Sequence, residues 1–338
     1  MSIYDECSVS ASGSEETRLL GHQLALSLYS KDLMILLTGE LGAGKTTFAQ
    51  GFATGMGVQD RVVSPTYALE QRYSAFTHID LYRLTREQAQ TFLRQLESGG
   101  ITLIEWADRV DPGNADPHIH IAIDEMNGGR TISIRFLDEA VPDDAEIDRW
   151  VREVRMPKHI QAHSEKVAEV ADKLAQHLLR KNVPLRPQAL HAAARAHDLL
   201  RFVDFKTWDG DETYAKTSDA DQEIWKSLKE TYGTPHEEAA GKFLDERGYS
   251  IIGKIVRCHR GMDKNGSISA TTIEQKLLAY ADKRVAFDKA VTLDERFGDF
   301  VKRYGNGRKS DHHELWLSVM KTMEKDLFPE GPPRLDNK

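Results

Sequence analysis

The sequence predicts an α/β domain with a mainly parallel sheet, followed by an all-α domain. Its 338 residues exceed the usual length of one domain, so two are expected. Strand and helix signals alternate up to about residue 137, whereas from about Pro157 onward apolar residues recur at the three-and-four spacing of helices. The predicted domains are therefore residues 1–137 and 157–330, with a linker over 138–156.

Short apolar segments in the first domain predict its strands. In chain order these are Asp32–Thr38, Phe76–Asp80, Ile101–Glu105, Ile119–Ile123 and Thr131–Phe136. A glycine-rich turn follows the first strand and leads into a helix predicted from Thr46 to Met56. The second and third strands each end in a carboxylate, and Asn127-Gly-Gly129 between the last two is a hairpin signal.

The linker prediction depends on the acidic, proline-containing segment from Asp138 to Glu146. Beyond it, helices are predicted at Ser164–Leu179, Gln188–Leu200, His236–Arg247 and Ile273–Ala290. No segment of this half has the pattern of a strand. A long polar stretch from Asp204 to Thr234 separates the second helix from the third, and we interpret it as a lid or an insertion.

The amino-acid composition argues against several classes of protein. A net charge of -8 disfavours a protein that grips RNA on its own, because such proteins are usually basic. The longest apolar run, Leu33 to Leu37, is far shorter than the roughly 20 residues that span a bilayer, and the acidic N-terminus lacks the apolar core of a secretory signal. Two cysteines, Cys7 and Cys258, do not make a disulfide framework, so a cytoplasmic location is expected.

Residues Gly39 to Thr46 fit the phosphate-binding pattern G-x-x-x-x-G-K-[ST] without a mismatch. The pattern follows a predicted strand and opens a predicted helix, which is the context that it requires. Its glycines let the backbone curl so that N–H groups face phosphates, and the helix N-terminus adds a favourable dipole. Lys45 is expected to reach the β- and γ-phosphates of ATP, and Thr46 to ligate Mg²⁺.

Two predicted strand ends supply carboxylates near this loop. Asp80 ends a strand at the phosphate-binding edge and suits a direct or indirect Mg²⁺ ligand. Glu105 ends an apolar strand and suits a group that orients water or holds the metal. Ser64-Pro-Thr-Tyr67 is a polar turn where nucleotide-sensing loops lie, and His78 is interpreted as structural.

Because kinases, GTPases and motor ATPases share the loop, it does not name a function. Together with four other segments, however, it closely resembles the TsaE family of ATPases in the tRNA threonylcarbamoyladenosine pathway. The five segments, in the order of the family, are Leu20–Ala25, Gly39–Thr47, Ser64–Tyr67, His78–Arg83 and Ile104–Arg109. The resemblance covers roughly residues 14 to 137.

This resemblance implies a site for ATP or ADP with Mg²⁺. Lys45 and Glu105 are the expected catalytic residues, and Thr46, Asp80 and Glu105 are the expected Mg²⁺ ligands. The expected nucleotide-binding residues are Gly39, Gly42, Gly44, Lys45, Thr46, Thr47, Asp80 and Trp106. It also implies a helper ATPase that acts with the TsaB–TsaD pair, which transfers a threonylcarbamoyl group to adenosine 37 of tRNA. Contact with tRNA is then expected only through that pair.

The second half contains histidines and aspartates in a distinctive order. They are His163, His197, Asp198, His236, His259 and Asp282. Imidazoles and carboxylates without cysteine suit Fe, Mn, Zn or Mg rather than a structural zinc site. Adjacent residues on a regular helix direct their side chains differently, so a His-Asp pair does not direct both side chains the same way within a helix. At a helix kink or end, however, the pair can present both groups to a metal. The remaining residues lie on separate predicted helices that can converge inside a bundle.

This order resembles the HD phosphohydrolase superfamily, and the six-residue version is similar to YqeK-like hydrolases of diadenosine tetraphosphate. The matching segments are His191–Arg201, His236–Gly241, Ile255–His259 and Leu278–Asp282. The resemblance implies a pair of metals, Fe or Mn being favoured, that Asp198 bridges, with a metal-held water as nucleophile. Arg201 is the expected phosphate-binding residue, with Arg260 and Lys283 as further candidates, and a nucleotide is the expected substrate.

Other histidines receive no ligand role. His159 lies one helical turn before His163, His118 and His120 share a strand face without a third ligand, and His312-His313 are expected to be solvated. The sequence thus predicts a TsaE-like ATPase fused to an HD phosphohydrolase. Three alternatives remain at this stage: a P-loop nucleotide kinase, an HD half that senses a nucleotide without hydrolysing it, and a scaffold whose acidic surface docks TsaB–TsaD.

Overall fold

The structure is a computed structural model. It describes residues 3–96, 99–111, 117–126, 128–208, 217–263, 265–304 and 310–335. The chain divides into two compact units. The sheet unit holds Tyr4–Ala140 and Leu178–Arg186, and the helical unit is built mainly from Val141–His177 and the chain from Pro187 onward. An α/β part followed by a helical part, as predicted, is confirmed.

The sheet unit is built on seven strands in the order β1-β7-β6-β2-β5-β4-β3. The strands are β1 Ile3–Ala11, β2 Leu33–Thr38, β3 Glu70–Arg72, β4 Thr77–Asp80, β5 Ile101–Glu105, β6 His118–Met126 and β7 Gly129–Val141. The central strand β2 pairs in parallel with both β5 and β6, and β4 pairs in parallel with β5. Antiparallel pairs join β3 to β4 and β6 to β7, and β1 lies beside β7 at the edge of the sheet.

Both faces of this sheet are covered, as is usual for parallel strands. Ile35 and Leu37 of β2 belong to one buried apolar cluster, whereas Leu36 between them belongs to the cluster on the other face. The register pairs Leu37 with Glu105 and Asp80 with Glu105. The C-terminal ends of β2, β4 and β5 therefore lie side by side, which brings the two predicted carboxylates to one edge.

Helices α1 Ser14–Leu26, α2 Lys45–Gly55 and α3 Arg86–Gln95 belong to the sheet unit, with a short 3-10 helix at Ala107–Arg109. Helices α1 and α2 cross at backbone contact. A Cβ atom at Gly51 would lie 1.8 Å from the carbonyl oxygen of Arg18, and one at Gly21 would lie 2.2 Å from that of Phe48. Glycine is required at this crossing, which anchors the helix that follows the phosphate-binding loop.

Where the structure describes it, the helical unit consists of packed helices with a small hairpin. Its helices are α4 Asp144–Glu153, α5 Lys158–Arg180, α6 Pro187–Ala196, α7 Asp219–Tyr232, α8 His236–Asp245, α9 Ser250–Arg257, α10 Ile273–Lys283, α11 Leu293–Tyr304 and α12 Asp311–Leu327. A 3-10 helix occupies Arg201–Asp204, and the hairpin joins β8 Val285–Ala286 to β9 Lys289–Ala290. Tyr280, Phe202 and Phe243 are fully buried among these helices. In the part of the chain that is described, no helix has the length and apolarity needed to cross a membrane.

Some predicted element bounds are wrong. The helix predicted over Ile273–Ala290 ends at Lys283, because the next residues turn into the hairpin and Phe287 adopts a left-handed φ of 58°. The segment predicted as a linker, residues 138–156, holds the last residues of β7 and all of α4. The domain bounds themselves stay predictions.

The polar stretch interpreted as a lid or an insertion, Asp204 to Thr234, contains helix α7. The Ser218 side chain caps that helix by accepting a hydrogen bond from the backbone of Asp221. Residues 209–216 of the same stretch, and Asn127 of the predicted hairpin turn, lie outside the described residues.

Candidate nucleotide site and metal centre

The phosphate-binding loop connects β2 to α2 through three glycines in the left-handed region. Gly39, Gly42 and Gly44 have φ angles of 139°, 87° and 112°. Such a bend is what allows successive backbone N–H groups to line an anion-binding concavity. The Lys45 ammonium donates to the carbonyl oxygens of Gly39, at 2.6 Å, and of Glu40, at 2.9 Å. The lysine therefore lies across its own loop in this structure.

Glu105 links two sides of this site through its two oxygens. Its Oε2 accepts a hydrogen bond from the Thr46 hydroxyl at 3.0 Å, and its Oε1 lies 3.0 Å from His78 Nε2. Glu105 and His78 are both buried. The carboxylate that was predicted to orient water or hold metal is thus fixed against the first residues of α2.

Asp80 lies beside Glu105 in the sheet and is held by a neighbouring loop. Its Oδ2 accepts hydrogen bonds from the hydroxyls of Ser64 and, at 2.6 Å, Thr66, while its Oδ1 accepts from the backbone N–H of Tyr82 at 2.8 Å. The polar turn that the sequence singled out therefore contacts the predicted Mg²⁺ carboxylate directly.

Trp106 borders the lysine of the loop. It has a left-handed backbone, with φ 61° and ψ 40°, and the Lys45 ammonium lies 3.7 Å from the centre of its ring. Burial lowers the pKa of Lys45, although Glu105 and Asp108 pull it upward. A left-handed backbone is unusual for any residue other than glycine, and such conformations are typical of functional sites.

Two contributors to this site were not recognised in the sequence. His78, which was interpreted as structural, is the partner of Glu105, and its only sequence signal was its place two residues before Asp80. Arg130 donates from Nε to the carbonyl oxygen of Ala43 at 2.6 Å and so braces the loop from β7. A basic residue just after a hairpin turn carries no local signal for that role.

The structure brings together all six residues predicted as metal ligands in the helical unit. Two groups of side chains each have ligand atoms within 4.8 Å of one another: His163, His197 and Asp282, and Asp198, His236 and His259. In the first group, His163 Nε2 lies 3.0 Å from Asp282 Oδ1. In the second, His236 Nε2 lies 3.0 Å from Asp198 Oδ1 and 3.2 Å from His259 Nε2.

Asp198 joins the two groups. Its Oδ2 lies 3.6 Å from His197 Nε2, while its Oδ1 is the atom that faces His236. Helix α6 ends at Ala196, so the adjacent His197 and Asp198 leave the helical path and both reach the cluster. This is the arrangement at a helix end that the sequence predicted for the pair.

All four histidines of this cluster face inward through Nε2, because their Nδ1 atoms are held by acceptors. Three of the acceptors are backbone carbonyls, which only accept hydrogen bonds, so these Nδ1 atoms carry hydrogen and leave Nε2 with a lone pair. They are Phe287 O at 3.0 Å from His163, Ala194 O at 2.8 Å from His197 and Val256 O at 2.7 Å from His259. For His236 the acceptor is the Asp204 carboxylate, whose Oδ2 lies 2.6 Å away.

Protonation states of His197, His259, Asp198 and Asp282 suit a metal, whereas hydrogen bonds to Asp198 and Asp204 outweigh burial and raise the pKa of His236. Burial lowers the pKa of His197 and takes that of His259 well below its usual range, so both imidazoles are neutral. Burial alone would raise the pKa of Asp198, but His197 and His236 outweigh it and hold that pKa well below its usual range. Lys283 and His163 have the same effect on the buried Asp282. Neutral imidazoles and ionised carboxylates are the donor set that divalent transition metals bind.

The buried His197 Nε2 has no hydrogen-bond partner within the described ranges. An unpaired buried nitrogen is costly, and it faces the carboxylates of the cluster. The residues present therefore fit metal binding: each of the two groups would supply three ligands, and Asp198 contacts both groups.

Two of the predicted phosphate-binding residues, Arg201 and Lys283, contact members of this cluster. Arg201 is at its edge, with one guanidinium nitrogen 2.8 Å from His236 Nδ1. Lys283 pairs with Asp282, and Arg260 lies over the ring of Trp316. His159 belongs to neither group, although the charges of Asp198 and His163 reach it.

Matches to known families fall on the same two regions. The model described as "Threonylcarbamoyl adenosine biosynthesis protein TsaE" matches residues 11–132, and the HD domain model matches residues 160–286. The P-loop, Asp80 and Glu105 lie in the first region, and all six residues of the metal cluster lie in the second.

Three curated relatives, each named tRNA threonylcarbamoyladenosine biosynthesis protein TsaE, cover the N-terminal part of this chain. The protein of Haemophilus influenzae is 34% identical over 120 residues, covering 33% of this chain and 76% of the relative. The Bacillus subtilis protein is 34% identical, with 32% and 72% covered, and that of Streptomyces coelicolor is 32% identical, with 36% and 86% covered. The crystal structure of the Bacillus protein YdiB is 24% identical and covers 40% of this chain and 89% of that one, with a TM-score of 0.33.

Proposed function

The chain belongs to the TsaE family and carries an HD domain behind the family region, and from this premise we propose two activities. The first is hydrolysis of Mg²⁺-bound ATP at the loop from Gly39 to Thr46, in support of tRNA N6-threonylcarbamoyladenosine synthesis. The observation that carries this proposal is the meeting of Lys45, Thr46, Asp80 and Glu105 at one edge of the sheet.

The proposed roles follow from the geometry. Lys45 leaves the carbonyls of Gly39 and Glu40 and moves its charge onto the phosphates, since a phosphate is the stronger acceptor. Thr46 and Asp80 would hold Mg²⁺, which would neutralise phosphate charge. Glu105, which His78 holds in place, orients the attacking water.

We further propose that this ATPase acts with a TsaB–TsaD pair in the cytoplasm and reaches tRNA only through that pair. The net charge of -8 supports indirect contact, because an acidic protein gains little from the phosphate backbone of RNA. ATP turnover by the chain alone is then slow, and the partner complex accelerates it.

Replacement of the native protein tests this first activity. A bacterial strain depleted of its own TsaE is supplied with this chain, and modified adenosine 37 is measured by mass spectrometry of digested tRNA. Restoration of the modified nucleoside is expected. If the nucleoside stays absent although the chain is well expressed, the pathway proposal is wrong.

The second proposed activity is metal-dependent hydrolysis of a phosphoester or phosphoanhydride, with a nucleotide as the expected substrate. The observation that carries it is the pair of ligand groups that share Asp198. Bound Fe or Mn would supply Lewis acidity and lower the pKa of a water molecule. Arg201 at the edge of the cluster meets the phosphate of the substrate.

The full chain with Lys45→Ala is the material for testing this activity, because that substitution removes turnover at the other site. After anaerobic purification with Fe²⁺ and Mn²⁺ supplied, elemental analysis counts bound metal, and phosphate release is followed over a panel of nucleotides. Asp198→Ala should lose both metal and hydrolysis. A chain without metal would refute the proposal, whereas metal and nucleotide binding without turnover would indicate a sensing module.

A further inference from the structure

His236 differs from the other three histidines of the metal cluster in what holds its Nδ1. Within the described residues, carbonyls of the backbone hold the other three, whereas a side chain, Asp204, holds His236. The same Asp204 oxygen also accepts from the backbone N–H of His236 at 3.2 Å. Asp204 is thus fixed at the start of α8 by two contacts to one residue.

Arg201 approaches the same nitrogen. Its guanidinium nitrogen lies 2.8 Å from His236 Nδ1 and 3.5 Å from Asp204 Oδ2. One ring nitrogen of a neutral imidazole donates or accepts, but does not do both. Therefore Nδ1 either donates to Asp204 or accepts from Arg201, and the two contacts exclude each other.

The two states differ in what Nε2 offers to a metal. When Nδ1 of the neutral ring donates to Asp204, Nε2 has a lone pair and is able to bind an ion. When Nδ1 accepts from Arg201, the hydrogen of the neutral ring is on Nε2, where it donates to Asp198 Oδ1 at 3.0 Å. The choice of partner at one nitrogen thus decides whether His236 is a ligand.

We propose that Asp204 is the positioning residue that makes His236 a metal ligand, and that Arg201 competes for the same nitrogen until metal binds. With metal on Nε2, Arg201 would leave His236 Nδ1, and its guanidinium would become available to a substrate phosphate. This inference rests on the proposed metal site. It adds two features to that site. Asp204 orients the ligand His236, and the release of Arg201 links metal binding to phosphate binding.

A direct ligand role for Asp204 fits the contacts less well. Asp204, His236 and Glu237 also have ligand atoms within 4.8 Å of one another. An ion there would have to bind Nδ1 of a ring whose Nε2 faces the main cluster, and it would lie against the positive charge of Arg201, 2.8 Å from that nitrogen. Carboxylates that orient a ligand histidine from behind are, by contrast, a general feature of metal sites.

Metal titration of the full chain tests the inference, with Mn²⁺ as the probe and calorimetry as the readout. Asp204→Ala should weaken one of two metal equivalents by about 10- to 100-fold, the usual effect of removing such a partner. Asp204→Asn keeps an acceptor oxygen and should lose less. Arg201→Met, which keeps the stem but removes the donor and its charge, should bind Mn²⁺ as tightly as the wild type or more tightly.

Asp172→Ala is the matched control. An oxygen of Asp172 lies 2.9 Å from Nδ1 of His191, and His191 lies outside the six-residue cluster. Asp172→Ala therefore removes a similar carboxylate–histidine contact and should leave metal binding unchanged. A double variant adds a second check: on a His236→Ala background, Asp204→Ala should change Mn²⁺ affinity no further. Thermal unfolding of each variant identifies any that fail to fold.

The outcomes separate this inference from the proposal beneath it. A wild-type chain that binds no metal refutes the metal site itself. A wild type that binds two equivalents, with Asp204→Ala binding them equally well, refutes the role of Asp204. If the wild type binds a third metal equivalent that Asp204→Ala loses, Asp204 is itself a ligand. If Arg201→Met weakens Mn²⁺ binding as much as Asp204→Ala does, the proposed competition is refuted.

Discussion

The Lys45 ammonium donates to two carbonyls of the phosphate-binding loop, those of Gly39 and Glu40. We expect Lys45→Ala to lower ATP turnover by about 100-fold or more, the range for loss of one charge-stabilising donor in an active site. Nucleotide titration and a phosphate-release assay measure the effect. Lys31→Ala, at an exposed lysine just before β2, is the matched control and should change neither. Equal affinity and rate for Lys45→Ala would refute the site.

Two histidines one turn apart on α5 make a second test at the scale of single residues. His163 Nε2 faces Asp282 at 3.0 Å, whereas His159 is in neither ligand group. We therefore expect His163→Ala to lose metal and His159→Ala to keep it, as measured by elemental analysis of the two purified proteins. The reverse result would show that the first ligand is misplaced by one helical turn.

At this scale, the sequence was informative where a residue belongs to a local or ordered pattern. The phosphate-binding loop is continuous, and the six histidines and aspartates follow a recognisable order, so both were found. Asp204 and His78 were not, because their importance comes from which side chain they contact after folding. Spacing along the chain contains no information about such partners.

At the scale of helices and strands, some predictions from the sequence differ from the structure. The acidic residues that suggested a linker are instead the N-terminal signals of α4: Asp143 caps the helix by accepting from the backbone of Glu146, and Asp144 lies in the first turn. The hairpin after α10 was missed because strands of two residues are too short to show a period. Its left-handed Phe287 supplies the carbonyl that orients His163, so the missed turn belongs to the metal site.

The pairing of helices α4, α5 and α6 predicts a dependence of stability on pH. His191 of α6 lies between Asp172 of α5 and Asp144 of α4, and Arg195 shares Asp144. Its hydrogen bond to Asp172 raises the pKa of His191, with Asp144 adding to the shift and partial burial opposing it. A raised folded-state pKa contributes stability below the unfolded-state pKa of about 6.5, and that contribution is lost as pH rises through the folded-state pKa.

His191→Gln keeps a polar side chain that does not titrate, so it isolates this effect. We expect the wild type to exceed this variant in free energy of unfolding near pH 6, and the difference to shrink as the pH rises toward 8. Denaturant unfolding across this range is the measurement, read by helix content. A difference that stays constant or grows with pH would contradict a charged His191 in the folded protein.

Two proposed activities on one chain raise the question of whether each site needs the other. The family match to TsaE ends at residue 132, before the first residue of the metal cluster, and the HD match begins at residue 160. The curated relatives have 72% to 86% of their own length covered by about a third of this chain. About a third of this chain therefore accounts for most of the length of each of these relatives, and the HD match lies outside the TsaE match.

Silencing one site at a time tests independence. In a strain depleted of its own TsaE, we expect the Asp198→Ala chain to restore modified adenosine 37 and the Lys45→Ala chain to fail, because the first substitution leaves every residue of the nucleotide site in place. The purified proteins should show the converse for metal-dependent phosphate release. Immunoblots establish equal expression. If Asp198→Ala abolished tRNA modification at normal expression, the metal site would be part of the TsaE function, and the two activities would have to be treated as one.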